Sequence, residues 1–315
     1  MTPILLWALL GLGPQRHAVK SAKPADLCSN ALAYQVLLDR AGFSPGEIDG
    51  TLGPNLKRAI AAFQSSANLA AVGRPDCPTW KALSDGAGEI LTEYVVTAQD
   101  LAGDYLGQPL PPDLAKQAQL PALSYESVNE AIAERFHASP RLLAHLNRGV
   151  DIEEGARLKV PAVTPFDSKV KPVPDAAAAE MSVEVSRSGS TLRVLRADGT
   201  LAMFAPVSSG SEHDPLPLGT WKVIGTAWMP PFHYNPDLFW DSEPHDSKAV
   251  LKPGPNNPVG VIWIDISVPH YGMHGTPSPN LVGHAQSHGC VRLTNWDAAH
   301  LASLVKPGTR VVFSE

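Results

Sequence analysis

The sequence predicts a multidomain protein. It has a small all-α N-terminal domain, an α+β middle segment and a mostly-β, sandwich-like C-terminal domain that includes one helix. Three observations predict this order. Apolar residues recur at helical spacing in the first quarter of the chain, apolar and polar residues alternate after residue 181, and a proline-rich stretch at residues 164–180 lies between the two patterns. At 315 residues the chain exceeds one typical domain.

The composition is that of a globular protein. Hydrophobic residues make up 44% of the chain, which is enough to build a buried core. The net charge is −6, from 25 basic and 31 acidic residues, and there is no basic run. Nucleic acid is therefore not an expected partner.

The N-terminus carries an apolar run, MTPILLWALLGLG, of signal-peptide length. It is too short to cross a bilayer, so no stable membrane span is expected. We predict a signal peptide and leader over residues 1–25 and an exported, periplasmic protein. The alternative is a plain apolar N-terminus that is buried in the fold.

Residues 26–90 predict a small three-helix domain. Helical spacing of Leu32, Val36 and Leu37 marks the first helix, Pro54 begins the second, and PTWKALS forms the third. The turn GFSPGEIDGTLGP, followed by AIAAFQ and TWKAL, resembles the small peptidoglycan-binding domain of bacterial wall enzymes. Asn55 after the Gly-Pro turn is a minor departure from that family. The resemblance implies that this domain binds the cell wall.

The three cysteines are Cys28, Cys77 and Cys290. An odd count in an exported chain suggests one disulfide and one free thiol. Cys28 and Cys77 flank the small helical domain, whose core alone is barely sufficient for stability, so they are the disulfide candidates. Two buried free thiols are the alternative.

Residues 91–163 predict a strand, two short helices around the turn HASP, and a second strand, GARLKVP. This order resembles a LysM-like module, interrupted by an insertion between Gly103 and Leu120. Residues 164–180 follow as a linker, and residues 181–315 form the β-rich domain. The stretch NWDAAHLASLV predicts its helix, which begins after Cys290.

The chemistry concentrates in residues 274–293, HGTPSPNLVGHAQSHGCVRL. A metal site is one hypothesis, since His284 and His288 are four residues apart and His274 and Cys290 supply further ligand types. Glycines and prolines within the stretch break any helix that would align these side chains. We therefore expect no metal and no cofactor.

A cysteine nucleophile is the other hypothesis. A thiol needs a neighbouring base or cation because only the thiolate is a good nucleophile. His274 is the candidate base if the loop folds back, Arg292 adds positive charge, and Gly289 leaves room for the Cys290 N–H to act as an oxyanion donor.

The pattern HGT, a short loop and SHGCVRL resembles the catalytic motif of the L,D-transpeptidase family, over about 135 residues. The resemblance implies that Cys290 attacks the bond between the third and fourth residues of a peptidoglycan stem peptide. It also implies that a backbone carbonyl, not an acidic side chain, orients the base. The site residues it implies are Cys290, His274 and His288 for catalysis, and Arg292, Ser287, Gly289 and Tyr271 for the turn and the substrate.

The expected function is therefore L,D-transpeptidation of stem tetrapeptides through a cysteine thioester. The acceptor stays open. A stem amine gives a cross-link, a protein lysine gives an anchored protein, and water gives carboxypeptidase-type trimming. A non-catalytic peptidoglycan-binding protein is the alternative from another class.

Overall fold

The computed structural model describes residues 28–240, 242–243 and 247–315, so the predicted signal peptide lies outside the described residues. Three elements form the N-terminal domain: α1 (Ala31–Arg40), α2 (Pro54–Ser66) and α3 (Cys77–Ser84). Asn30 caps α1 by accepting a hydrogen bond from the Ala33 N–H, and Pro54 begins α2 as predicted. The structure joins Cys28 to Cys77 in a disulfide, with Cα atoms 5.1 Å apart.

The turn that resembles wall-binding domains also attaches this domain to the rest of the chain. Phe43 and Phe204 bridge in parallel, with backbone hydrogen bonds of 2.8 Å from Ser44 N to the Phe204 carbonyl and from Phe204 N to the Gly42 carbonyl. The Ile48 N–H donates to the carbonyl of His137 in the middle segment at 2.8 Å. The N-terminal domain is therefore held against both of the segments that follow it.

The middle segment pairs two antiparallel strands and packs helices against them. Its elements are β1 (Leu91–Val95), α4 (Ala98–Leu101), α5 (Leu114–Gln117), α6 (Val128–Arg135), α7 (Pro140–Leu146) and β2 (Arg157–Pro161). The α+β character is as predicted, while the relation to LysM modules stays a prediction. Its core of Ile132, Leu143 and Leu158 also contains Val36 and Ile48 of the first domain.

The predicted linker is partly ordered against the helix Asn295–Leu304. A short 3₁₀ turn spans Ala176–Glu180, Ala178 is buried, and the Asp175 N–H donates to the Ser303 carbonyl at 2.7 Å.

The C-terminal domain contains eleven strands and one α-helix within the described residues. They are β3 (Ser182–Ser186), β4 (Thr191–Leu195), β5 (Leu201–Pro206), β6 (Ser208–Ser209), β7 (Gly219–Trp228), β8 (Phe232–Tyr234), β9 (Ala249–Leu251), β10 (Ile262–Ile266), β11 (Gly272–His274), β12 (Val291–Arg292), α8 (Asn295–Leu304) and β13 (Arg310–Ser314). Nine of these strands form one sheet in the order β5-β4-β3-β13-β7-β10-β11-β12-β6, and pairing is antiparallel except for β3 with β13 and β11 with β12.

Helix α8 lies against β10 and β11 and supports the strands that carry the site. The predicted helix is present: Thr294 caps it by accepting from the Asp297 N–H, and Trp296, Leu301 and Leu304 are buried. In the part of the chain that the structure covers, no helix is long and apolar enough to cross a membrane.

The segment around α5 packs on a long insertion that follows β7 and contains β8 and β9. The hairpin of β8 and β9 shares a small core with the segment around α5, including Tyr234, Leu251 and Leu123. The Leu123 N–H donates to the Pro253 carbonyl at 3.2 Å. The middle segment thus contacts the C-terminal domain beside the β8–β9 hairpin.

Candidate active site

The register of two parallel strands places Cys290 next to His274. Strand β11 pairs with β12 so that Met273 faces Val291 and His274 faces Arg292. Cys290 directly precedes β12 and therefore lies opposite Gly272, one diagonal step from His274. Because side chains alternate along a strand, His274, Arg292 and Cys290 share one face while Met273 and Val291 enter the core. The loop folds back as the nucleophile hypothesis requires.

The imidazole of His274 is fixed in one tautomer. Its Nδ1 lies 2.7 Å from the Gly275 carbonyl, which can only accept a hydrogen bond, so Nδ1 carries the proton and Nε2 keeps its lone pair. The indole of Trp263 stacks on the ring at 5.5 Å. Burial, with a smaller contribution from the Arg292 charge, lowers the pKa of His274 to about 3. The ring is therefore a neutral proton acceptor at neutral pH.

The thiol of Cys290 is free and partly accessible. It donates to the His270 carbonyl at 3.8 Å. Burial raises its pKa, and the nearby Asp214 carboxylate acts in the same direction, whereas the Gly272 N–H and the Arg292 charge act to lower the pKa. The two side chains are thus a thiol and a neutral imidazole on the same face of the sheet.

The turn before the nucleophile is held by Ser287. Its hydroxyl donates to the Cys290 carbonyl at 2.5 Å and accepts from the Gly210 N–H at 2.8 Å. Gly289 has a φ of +93°, and a Cβ there would lie 2.5 Å from the Tyr271 ring. Glycine is required for both reasons, and Tyr271 covers the turn at the thiol.

His288 lies beneath the aromatic residues of the long insertion. Its ring centroid is 4.9 Å from that of Phe239 and 6.0 Å from that of Trp240. Trp240 in turn stacks on His213 at 4.3 Å. These contacts place the insertion over the catalytic turn. His284, by contrast, is exposed on the loop.

Two stretches of the chain match known families. Residues 180–313 match the L,D-transpeptidase catalytic domain, and residues 29–83 match a putative peptidoglycan binding domain. The candidate site residues His274, Cys290 and Arg292 lie inside the first match. Residues 180–313 are therefore similar to the L,D-transpeptidase catalytic domain. The predicted resemblance, fold class and enzyme class are confirmed.

Individual relatives carry the same family name. The putative L,D-transpeptidase YkuD of Bacillus licheniformis is 28% identical over 185 residues, which are 58% of this chain and 90% of the relative. YkuD of Bacillus subtilis is 47% identical over 60 residues, 19% of this chain and 37% of the relative. The probable L,D-transpeptidase YbiS of Escherichia coli is 38% identical over 92 residues, 29% of each chain. The chain thus spans less than half of the latter two.

Among solved structures, L,D-transpeptidase 1 of Mycobacterium tuberculosis is similar at 18% identity. The similarity covers 42% of this chain and 60% of that one, with a TM-score of 0.32. A TM-score this low adds no support. The assignment depends on the sequence matches.

The domain of residues 180–313 also contains candidate site residues that the sequence analysis missed. Trp263 and Gly272 act together, since a Cβ at Gly272 would lie 2.5 Å from the indole that stacks on His274. The sequence feature that points to them is the alternating strand VIWIDI, in which Trp263 lies opposite His274. Asp214 has no such signal because it comes from a loop far along the chain. Its buried Oδ2 has no hydrogen-bond partner among the described residues.

The metal hypothesis can be compared with the surroundings of His274. Within the described ranges, no group of three or more His, Cys, Asp or Glu side chains is arranged to hold an ion. The Gly275 carbonyl occupies the Nδ1 side of His274, whereas Trp263 stacks on a face of the ring and leaves Nε2 open.

Proposed function

We propose that the protein is a wall-acting L,D-transpeptidase that transfers the acyl group of peptidoglycan stem tetrapeptides through a thioester on Cys290. The observation that carries this proposal is the parallel register of β11 and β12. It sets the thiol one diagonal step from an imidazole whose Nδ1–H is held by the Gly275 carbonyl. The match of the surrounding 134 residues, 180–313, to the catalytic family supports it.

In the proposed reaction, Nε2 of His274 takes the thiol proton as Sγ of Cys290 attacks the carbonyl carbon between the third and fourth stem residues. The Cys290 N–H stabilises the charge that develops on the carbonyl oxygen. His274 returns the proton to the departing amine of the D-amino acid, which leaves a thioester. An acceptor amine then attacks the thioester, and its proton passes through His274 back to the sulfur.

The supporting residues have separate proposed roles. Ser287 and Gly289 hold the turn so that the Cys290 N–H is presented to the oxyanion. Arg292 offers a cation to a substrate carboxylate from the face it shares with His274. His288 and Tyr271 line the substrate groove beneath the aromatic insertion, and His288 orients the site without taking the proton.

The test is intact-protein mass spectrometry with a tetrapeptide stem. Wild-type protein is expected to gain the mass of the acylated tripeptide, while Cys290→Ala and His274→Gln gain none. His284→Gln, which changes an exposed loop imidazole, is the matched control and is expected to react like wild type. Adduct formation or turnover by Cys290→Ala would overturn the mechanism.

The acceptor is part of the proposal. We place an amine of a second stem in this role, which gives a cross-link. Product masses from whole sacculi distinguish it from a protein lysine, which gives an anchored protein, and from water, which gives only trimmed tripeptides. Retention of Cys290→Ala protein on sacculi tests the wall-binding role of residues 26–90 and of the LysM-like residues 91–163.

The proposed location is the periplasm. The Cys28–Cys77 disulfide fits an oxidising compartment, and a peptidoglycan-binding match fits the substrate's location. Cell fractionation with antibody detection tests this, and recovery only with cytosolic markers would contradict it.

A further inference from the structure

The first domain contacts the loop that joins the candidate base to the candidate nucleophile. Asn55, which departs from the wall-binding pattern, lies in the first turn of helix α2 and is only 8% exposed. Its Nδ2 donates to the Val282 carbonyl at 2.8 Å, across 227 residues of sequence. Val282 lies midway along the loop between His274 and Cys290. The contact therefore connects the first domain directly to the loop whose ends carry the site.

The neighbouring Arg58 fixes the direction in which the Asn55 amide points. Arg58 Nη1 donates to Asn55 Oδ1 at 2.8 Å, and a guanidinium group can only donate. The amide oxygen therefore faces Arg58, and the amide N–H groups face the loop. The same Arg58 nitrogen also donates to the Gly283 carbonyl at 3.3 Å. One turn of α2 thus holds two consecutive carbonyl groups of the loop.

Gly283 leaves the space that this amide occupies. Its φ is +77°, in the left-handed region, and a Cβ there would lie 2.2 Å from Asn55 Oδ1. On the other side, the Ser208 hydroxyl accepts from the Gly283 N–H at 3.0 Å and donates to the Leu281 carbonyl at 3.2 Å. Ser208 belongs to β6, the edge strand that pairs with β12. Residues 281–283 are therefore held between the first domain and the edge of the nine-stranded sheet.

Few other parts of this loop are anchored. Within residues 277–286, Val282 is the only buried residue, while Leu281 and His284 are exposed. No backbone N–H of the described residues donates to the Val282 carbonyl. A buried carbonyl that loses its donor is costly, so removal of the Asn55 amide favours a rearranged loop.

A rearranged loop affects the nucleophile through the turn that follows it. Further along the same loop, Ser287 holds the Cys290 carbonyl and the Gly210 N–H. A displacement of reacting groups by about 1 Å can cost about a hundredfold in rate. The Asn55–Val282 contact is therefore placed to control the position of the thiol without touching it.

We propose that Asn55 is a positioning residue of the transpeptidase reaction. Its amide holds the loop at Val282 in the arrangement that brings Cys290 into line with His274, so the first domain is a working part of the catalytic unit. This role rests on the proposed function. It sets the rate of thioester formation and leaves the binding of the stem peptide unchanged.

Single-turnover mass spectrometry with a tetrapeptide stem, over a range of peptide concentrations, tests this role. Asn55→Ala is expected to lower the acylation rate constant at saturation at least about tenfold, because the thiol is misplaced. The half-saturating concentration is expected to stay within about twofold of the wild-type value, because Asn55 does not touch the substrate. Asn55→Asp keeps the size of the side chain and still accepts from Arg58, but at neutral pH it cannot donate to Val282. It is expected to show the same loss.

Tyr34→Phe is the matched control. The Tyr34 hydroxyl donates to the Asp76 carbonyl at 2.7 Å within the first domain, so its removal costs a hydrogen bond of the same domain away from the loop. This variant is expected to be less stable in urea and to keep the wild-type acylation rate. Hydrogen exchange of residues 275–289 in unreacted protein is the second measurement. It is expected to be faster in both Asn55 variants and unchanged in Tyr34→Phe.

Gly283→Ala tests the same contact from the loop side. Its methyl group meets Asn55 Oδ1 at 2.2 Å in the wild-type background, and Asn55→Ala removes that oxygen. The loss of acylation rate caused by Gly283→Ala is therefore expected to be smaller in the Asn55→Ala background than in the wild type. Equal losses in the two backgrounds would contradict the proposal.

Other outcomes also overturn it. They are wild-type acylation rates in both Asn55 variants, unchanged exchange of the loop, a raised half-saturating concentration without a lower rate constant, or an equal rate loss in Tyr34→Phe. If Asn55→Ala fails to fold, Asn55→Asp decides, because it keeps the side-chain size and the Arg58 contact. Absence of an adduct on wild-type protein would contradict the proposed function. Loop exchange needs no turnover, so it distinguishes that failure from failure of the Asn55–Val282 contact.

Discussion

Replacing His274 with glutamine removes an imidazole whose pKa falls from its ordinary 6.5 to about 3 on folding. Between those values the unfolded chain takes up a proton that the folded chain excludes. The contribution of the neutral imidazole to the free energy of unfolding is therefore fully present above the pKa of the unfolded chain. It is lost as the pH falls below that value, by about 1.4 kcal/mol per pH unit. Lowering the pH from about 7 to about 5 should cost the wild type about 2 kcal/mol that the variant does not lose.

Urea unfolding curves of wild type, His274→Gln and His284→Gln at several pH values measure this difference. The buried carboxyl groups of Glu47, Glu134 and Asp297 have raised pKa values and give an opposite trend, but they are common to all three proteins and cancel in the comparison. Glutamine keeps an N–H for the Gly275 carbonyl. If wild type and His274→Gln differ by the same free energy at every pH, the imidazole is not buried in its neutral form and the reasoning fails.

Three further substitutions test the site and its support. Gly289→Ala should reduce the acylation rate at least about tenfold, because the new methyl group meets the Tyr271 ring at 2.5 Å and φ is +93°. Gly225→Ala, which has open space around it, is the control and should keep the wild-type rate. Single-turnover mass spectrometry measures both rates. Ser287→Ala should lower the free energy of unfolding by about 1–3 kcal/mol and slow acylation, and unchanged kinetics would remove its role in the turn. Cys28→Ser should destabilise the protein by about 2–4 kcal/mol in denaturant while the acylation rate persists, and equal stability would show that the disulfide is not formed.

The local part of the site was predictable from sequence. His274 and Cys290 stand at opposite ends of one loop rich in glycine and proline, and both ends read as short strands. The pairing of those ends as parallel neighbours, with Cys290 opposite Gly272, depends on the whole sheet and was not predictable. Trp263 and Asp214 reach the site from other parts of the chain, so spacing within the motif contains no information about them.

The domain order was predictable because each segment has its own periodicity. The contacts between segments were not. Phe43 pairs with Phe204 across more than half the chain, and Ile48 pairs with the backbone around His137, through backbone groups whose partners no side-chain pattern specifies.

The central claim is that the thiol of Cys290 carries the acyl group. Intact-protein mass spectrometry after incubation with a tetrapeptide stem, or with a carbapenem as a covalent probe, measures this directly. The account predicts a single adduct on wild-type protein, located at Cys290 by peptide mapping and absent from Cys290→Ala. No adduct on folded wild-type protein, or an adduct on any other residue, would contradict it.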